Sequence, residues 1–142
     1  MATVTYADAD VLIDNNRRIG YVFSGEAVAP GQIVFRSTGD DLWYLADSNN
    51  LATAPQSLDG DLYGVALNLN YASGQPLAVA KSGSLVYYGT GVFTANDTLF
   101  VSQVTGAMDP DPIGATEYSI KVGVAIDSAN LSVTFQASGV PA

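Results

Sequence analysis

The chain has 142 residues, no cysteine, no histidine, and 14 acids against five bases, for a formal net charge of −9. These counts exclude disulfides and cysteine or histidine catalysis, and they argue against naked nucleic acid as a partner, which needs clustered Lys and Arg to neutralise phosphates. With 48% apolar residues, eight Tyr, five Phe and one Trp, the chain can fill a core, and a domain of this length buries roughly 68–70% of its unfolded surface.

In chain order, residues 1–20 read as an N-terminal arm or first strand, opening on the alternating Thr3-Val4-Thr5-Tyr6. They lack a cationic start followed by an apolar stretch, so no export signal is expected. Residues 7–18 fit either a short helix or an extended arm, and the pair Arg17 and Arg18 reads as a local salt-bridge or capping feature. From 21 to 142 a single β-domain is expected, because glycine and proline recur too often for a stable helix and the runs between them are β-branched and aromatic. The predicted strands cover residues 20–23, 32–36, 42–45, 62–67, 77–81, 85–88, 98–101, 120–126 and 131–135. A single helical turn remains open at 47–53. Leu131, Val133 and Phe135 alternate with Ser132, Thr134 and Gln136, the period of a half-buried strand. No segment reaches the roughly 18 apolar residues of a membrane span. The fold class is therefore all-β, a compact β-barrel or β-sandwich.

A weak internal repeat relates residues 29–83 to 95–139. Ala29-Pro30-Gly31-Gln32-Ile33-Val34-Phe35 stands against Ala95-Asn96-Asp97-Thr98-Leu99-Phe100-Val101, and Thr38-Gly39 against Thr105-Gly106. Gly64-Val65-Ala66-Leu67 follows against Gly123-Val124-Ala125-Ile126, then Leu77-Ala78-Val79-Ala80 against Leu131-Ser132-Val133-Thr134. Two related half-units are expected, with each leading glycine permitting a bulge or a close backbone approach.

Catalysis is not expected. No serine sits in a Gly-x-Ser-x-Gly elbow, and Gly89-Thr90-Gly91 lacks the third glycine of a dinucleotide fingerprint and reads as a hairpin turn. Three Asp-x-Asp pairs, Asp8 with Asp10, Asp59 with Asp61 and Asp109 with Asp111, could present carboxylates on one strand face to a hard cation or for acid–base work. Beside Gly60, Pro110 and Pro112 they read first as solvated turn aspartates, so no metal and no cofactor is assigned. Trp43 beside Tyr44, and Tyr87 beside Tyr88, set neighbouring rings on opposite strand faces, and an outward ring suits a binding surface. Only 13% of residues are charged, against about 25% in ordinary domains, which also suggests surface kept for a partner.

The Gly-Val-Ala-Leu/Ile strands, the run Ala72-Ser73-Gly74-Gln75-Pro76-Leu77-Ala78-Val79 and the run Ala95-Asn96-Asp97-Thr98-Leu99-Phe100-Val101 resemble the capsid cement, or head-decoration, proteins of tailed double-stranded DNA phages. The resemblance spans residues 27–135. This chain departs from it in carrying Asp97 where glycine is common and in longer inserts at 42–61 and 107–118. The resemblance implies a non-enzymatic homotrimer, made in the host cytoplasm, that binds the major capsid protein on the outer surface of the expanded head. Neither nucleic acid nor membrane is implied as a partner. Val4, Thr5 and Tyr6 of the arm and the rings of Trp43, Tyr44, Tyr87 and Tyr88 are the candidate contacts with capsid or sister subunits. The alternative is a carbohydrate- or receptor-binding β-module of a virion fibre or cell surface, with Trp43, Tyr44, Tyr87 or Tyr88 as its sugar platform.

Overall fold

The computed structural model describes residues 4–6, 11–13, 19–47, 60–69, 72–102, 104–110 and 120–137. Among them run eleven strands: β1 Leu12–Ile13, β2 Ile19–Phe23, β3 Ile33–Arg36, β4 Trp43–Leu45, β5 Tyr63–Ala66, β6 Pro76–Ala80, β7 Leu85–Tyr87, β8 Thr98–Val101, β9 Met108–Asp109, β10 Ile120–Ala125 and β11 Asn130–Ala137. A 3-10 turn, Gly60–Leu62, precedes β5. All nine predicted strands are present. The two further ones, β1 and β9, are two residues long, too short for a periodic signal. The helical turn entertained at 47–53 lies, beyond Asp47, outside the described residues.

The strands form two antiparallel sheets, and neither closes into a barrel. Sheet I has the order β2-β6-β5-β3-β4, and sheet II the order β1-β7-β11-β10-β8-β9. Without β1, sheet II repeats the order of sheet I strand for strand. The match extends to register. Ile33 faces Val65 and Val34 faces Gly64 in sheet I, while Thr98 faces Val124 and Leu99 faces Gly123 in sheet II. Ala66 faces Val79 as Ala125 faces Leu131, Gly20 faces Val79 as Val86 faces Leu131, and Arg36 faces Trp43 as Val101 faces Met108.

The turns repeat as well. Gly31 N–H donates to Ala66 C=O at 2.7 Å, and Asn96 N–H to Ala125 C=O at 2.7 Å. Ser37 Oγ accepts the Gly39 N–H at 3.1 Å, and Ser102 Oγ the Val104 N–H at 2.9 Å. Left-handed backbone occurs at Gly31 and Asn96 (φ 87° and 74°) and again at Asp41 and Gly106 (φ 63° and 79°). The half-units therefore correspond one residue away from the sequence pairing in the first strand, Gly31 matching Asn96 rather than Asp97. They correspond two residues away in the last, where Val79 rather than Leu77 matches Leu131. The reason is conformational: a left-handed position accepts Gly, Asn or Asp, so the same turn carries different letters in each half.

Two apolar cores result. The main one lies between the sheets and takes Ile33, Phe35, Tyr63, Val65 and Ala80 from sheet I and Leu99, Val101, Leu131, Val133 and Phe135 from sheet II. The second lies on the far face of sheet I, with Val28, Val34, Trp43, Ala66, Leu77 and Val79. Sheet I is thus buried on both faces, which is why all four residues of β5 are buried. Beyond β2, Gly25 N–H donates to Trp43 C=O at 2.7 Å and Ser24 bridges Trp43. Because β2 and β4 are opposite edges, sheet I must curl around the second core.

The equivalent residues show how the halves stack. Val34, Trp43, Ala66 and Val79 fill the second core, whereas their counterparts Leu99, Met108, Ala125 and Leu131 belong to the main core. The face that sheet II turns inward is therefore the one that sheet I turns away, so the units stack in tandem rather than as mirror-like faces. The outward face of sheet II carries Thr98, Lys121 and Ser132, with Thr134 and Gln136 exposed.

Gly64 and Gly123 fulfil the expectation for the strand-leading glycines. A Cβ on Gly64 would stand 3.0 Å from Val79 Cβ. On Gly123 it would collide with the Ser132 carbonyl, beside the bulge where the register shifts between Lys121 and Gly123. That bulge re-aims the chain: Val122 and Ala125, three residues apart on one strand, both point into the core.

Candidate interaction surface

The N-terminal segment lies on its own chain. Val4 N–H donates to Met108 C=O at 3.1 Å, covering the outer edge of β9, and Val4 and Tyr6 pack against the main core. The Tyr6 ring meets Tyr88 edge to face at 4.9 Å. Gly31 makes room for it, since a Cβ there would stand 2.6 Å from the Tyr6 ring. Thr5 is exposed between two shallow grooves. One, of about 270 Å3, is lined by Tyr6, Gln32 and Thr105 among others, and the second, of about 200 Å3, by Val92, Asp97 and Pro110 among others. Both fall below the roughly 300–1,000 Å3 of small-molecule sites.

Each aromatic pair divides between inside and outside. Trp43 is 3% exposed in the second core, with Lys81 Nζ 5.2 Å from its ring centroid, a cation–π contact. Tyr44 is half-buried against Phe35 and donates its hydroxyl to Asp40 Oδ2 at 2.6 Å. That bond raises the Tyr44 phenol and, together with the Leu42 N–H, lowers the Asp40 carboxyl. Tyr88 is fully buried, donates to Gly31 C=O at 2.8 Å and meets Phe93 edge to face at 5.3 Å. Burial, with a smaller contribution from Tyr6, holds its phenol well above the usual tyrosine range, so Tyr88 is a neutral donor. Tyr87 is half-buried, with its hydroxyl 3.5 Å from Thr90 Oγ1.

Of the seven sequence-derived contact residues, the structure brings Tyr6 and Tyr88 together, inside the fold. Trp43 and Tyr88 are core residues. Thr5, Tyr44 and Tyr87 reach the surface, the two tyrosines on different sheets.

Of the Asp-x-Asp members, Asp61 is exposed, and Asp109 is 4% exposed with its Oδ1 lacking a hydrogen-bond partner. Asp8, Asp10, Asp59 and Asp111 lie outside the described residues. Among the described residues no group of three or more potential ligands could hold a metal ion.

The most prominent exposed aromatics are ones the sequence reading assigned no surface role. Tyr21 is 82% and Phe23 57% exposed, both on edge strand β2, directly opposite Ala78 and Pro76. The available signal was that Ile19-Gly20-Tyr21-Val22-Phe23 is apolar at every position, although an edge strand usually carries a charge or proline to discourage pairing.

No protein-family model, curated protein or solved structure matches this chain.

Proposed function

We propose that this chain is a capsid decoration (cement) protein of a tailed double-stranded DNA phage, a non-enzymatic homotrimer that bridges major capsid subunits on the outside of the expanded head. The observation that carries the reading is where the resembling motifs lie. Gly64-Val65-Ala66 lies on β5, Gly123-Val124-Ala125 on β10, residues 72–79 lead into β6, and residues 95–101 form the turn and strand of β8. Two of these four motifs, on β5 and β10, occupy matched positions of the duplicated sheets, and all four lie on or lead into sheet strands, so the resemblance follows the framework and not a loop. Low charge density and an unprotected apolar edge support a protein built to be covered by a partner. Three equivalent contacts per trimer would make later contacts intramolecular and raise avidity without any exceptional single interface.

Burial of Trp43 and Tyr88 narrows both this reading and the carbohydrate- or receptor-binding alternative to the surface rings Tyr44 and Tyr87. The deciding experiment mixes purified protein with expanded capsids that lack it. Saturable, stoichiometric binding and a rise in the heat resistance of the capsid are expected, and capsids that neither bind the protein nor gain resistance defeat the proposal.

A further inference from the structure

Among the described members of the Asp-x-Asp pairs, Asp61 is exposed and Asp109 is buried. Asp109 ends β9 at 4% exposure, and its Oδ1 meets no hydrogen-bond donor among the described residues. A folded protein rarely strands a buried carboxyl oxygen, because desolvation without a partner is costly. Lys121 stands two strands away in the same row, beyond Phe100, and among the described residues no cation pairs with Asp109.

The peptide bond that follows Asp109 is set between that carboxyl and solvent. Met108 gives its C=O to the Val4 N–H at 3.1 Å, on the side away from β8. Backbone groups alternate along an antiparallel strand, so Asp109 turns its N–H and C=O toward β8, where Phe100 is its partner. The Phe100 N–H therefore holds the carbonyl oxygen of the Asp109–Pro110 bond, a donor placed where negative charge gathers on attack. On the other side of the bond, Pro110 lines the shallow groove that it shares with Thr5, Thr94 and Asp97, so water reaches its ring. The Pro110 nitrogen carries no hydrogen. As a tertiary amide nitrogen it takes a proton more readily than an ordinary peptide nitrogen, and it leaves more readily once protonated.

We propose that the Asp109–Pro110 bond is a self-cleavage site, with the Asp109 carboxylate as its nucleophile. One Oδ attacks the main-chain carbonyl carbon of the same residue and closes a cyclic anhydride of the succinic type. The carbon–nitrogen bond breaks, its electron pair stays on Pro110, and a proton from solvent makes that nitrogen a secondary amine. Water then opens the anhydride and leaves Asp109 with a side-chain and a terminal carboxylate. Overall one water is consumed, and no oxidant or reductant takes part. An unpartnered carboxyl is free to make this attack, whereas one held by donors must first give them up. The event happens once per chain and does not depend on capsid binding, so either proposal can fail alone. Nor does it dismantle the fold: β10 and β11, which follow the cut, lie between β7 and β8, which precede it.

The test is denaturing mass spectrometry of the folded full chain held in mildly acidic buffer, where solvent can protonate the leaving nitrogen. Asp111–Pro112 is the internal standard, a second Asp–Pro bond of the same chain with the same intrinsic chemistry. Fragments 1–109 and 110–142 should accumulate about tenfold faster than the products of the second bond, a gain from held geometry, and the two rates should become equal in urea. Asp109→Asn should abolish the cut at the first bond and spare the second. Circular dichroism establishes which variants fold. Should Asp109→Asn fail to do so, Pro110→Ala serves instead: it keeps the nucleophile, supplies a poorer leaving nitrogen and should all but stop the first cut. Four results overturn the site: equal rates at the two bonds of the folded chain, no cut after Asp109, a faster cut in urea than in the fold, or a cut that survives in the folded variants.

Discussion

The two halves of this molecule share a strand order, a register and a set of turn hydrogen bonds, yet they bury different surfaces. In the first half both faces of the sheet are apolar, with Ile33 and Val65 toward the second sheet and Val34 and Trp43 away from it. In the second half the counterparts of Ile33 and Ala80 are Thr98 and Ser132, half-buried on the outer face. A backbone plan therefore leaves open which face a sheet will bury, and side chains at equivalent positions decide it. Polar residues on the outer face of the second unit end the stack at two, as polar capping faces do in repeat proteins.

If the main core couples the halves, damage to one should be felt in the other. Trp43→Ala and Met108→Ala remove matched residues, and each should cost several kcal/mol, about 3–5 for the tryptophan and about 2–5 for the methionine. Trp43 is the only tryptophan, so its fluorescence reports on the first half. In Met108→Ala, urea unfolding followed by Trp43 fluorescence should shift together with far-UV circular dichroism. Separate transitions would show that the halves unfold independently. The matched glycines should be unequal. Gly123→Ala drives a Cβ into the Ser132 carbonyl and should cost about 3 kcal/mol, whereas Gly64→Ala presses on the Val79 side chain and should cost about 1 kcal/mol. Equal urea midpoints for the two variants would refute a special role for the bulge.

The strands were legible because alternation such as Leu131, Val133 and Phe135 survives in any β context. The leading glycines were legible because close approach demands them. Correct alignment of the halves was not, since Gly31 and Asn96, or Asp41 and Gly106, share a backbone angle and not a chemistry. Nor could adjacent aromatics be sorted. Whether Trp43 or Tyr44 points inward depends on sheet I having two buried faces, a tertiary fact that no period-two pattern contains. The exposure of Tyr21 and Phe23 was hidden for the converse reason: an apolar strand reads as interior until the sheet order makes it an edge.

The tyrosine pair permits a smaller test. Tyr88→Phe strands the buried Gly31 carbonyl and should cost about 1–3 kcal/mol, while Tyr87→Phe, whose hydroxyl makes a long contact with Thr90 among the described residues, should stay within about 0.5 kcal/mol. Comparable losses in thermal unfolding would contradict the inside–outside division.

The subtlest expected difference concerns one matched pair of turn residues. Asn68 Oδ1 accepts the Ala78 N–H, and its counterpart Asp127 accepts the matching Asn130 N–H. Asp127 also binds the Ala129 N–H and the Asn130 side chain, and these donors, led by Ala129, lower its carboxyl. A folded value below the unfolded one, about 3.9, means that the unfolded chain takes up the proton first. The resulting stabilisation is complete at neutral pH, declines as pH falls through about 4, and is gone below the folded value. Asp127→Asn gives the second half the cap already used in the first, so its melting temperature at pH 7 should fall only slightly and its acid-induced decline should be shallower. Asp40→Asn should flatten that decline less, because its largest influence is the Tyr44 hydroxyl, which can turn to water. An unchanged acid limb in Asp127→Asn would show that the charge of this cap, the property that separates it from Asn68, contributes nothing to stability.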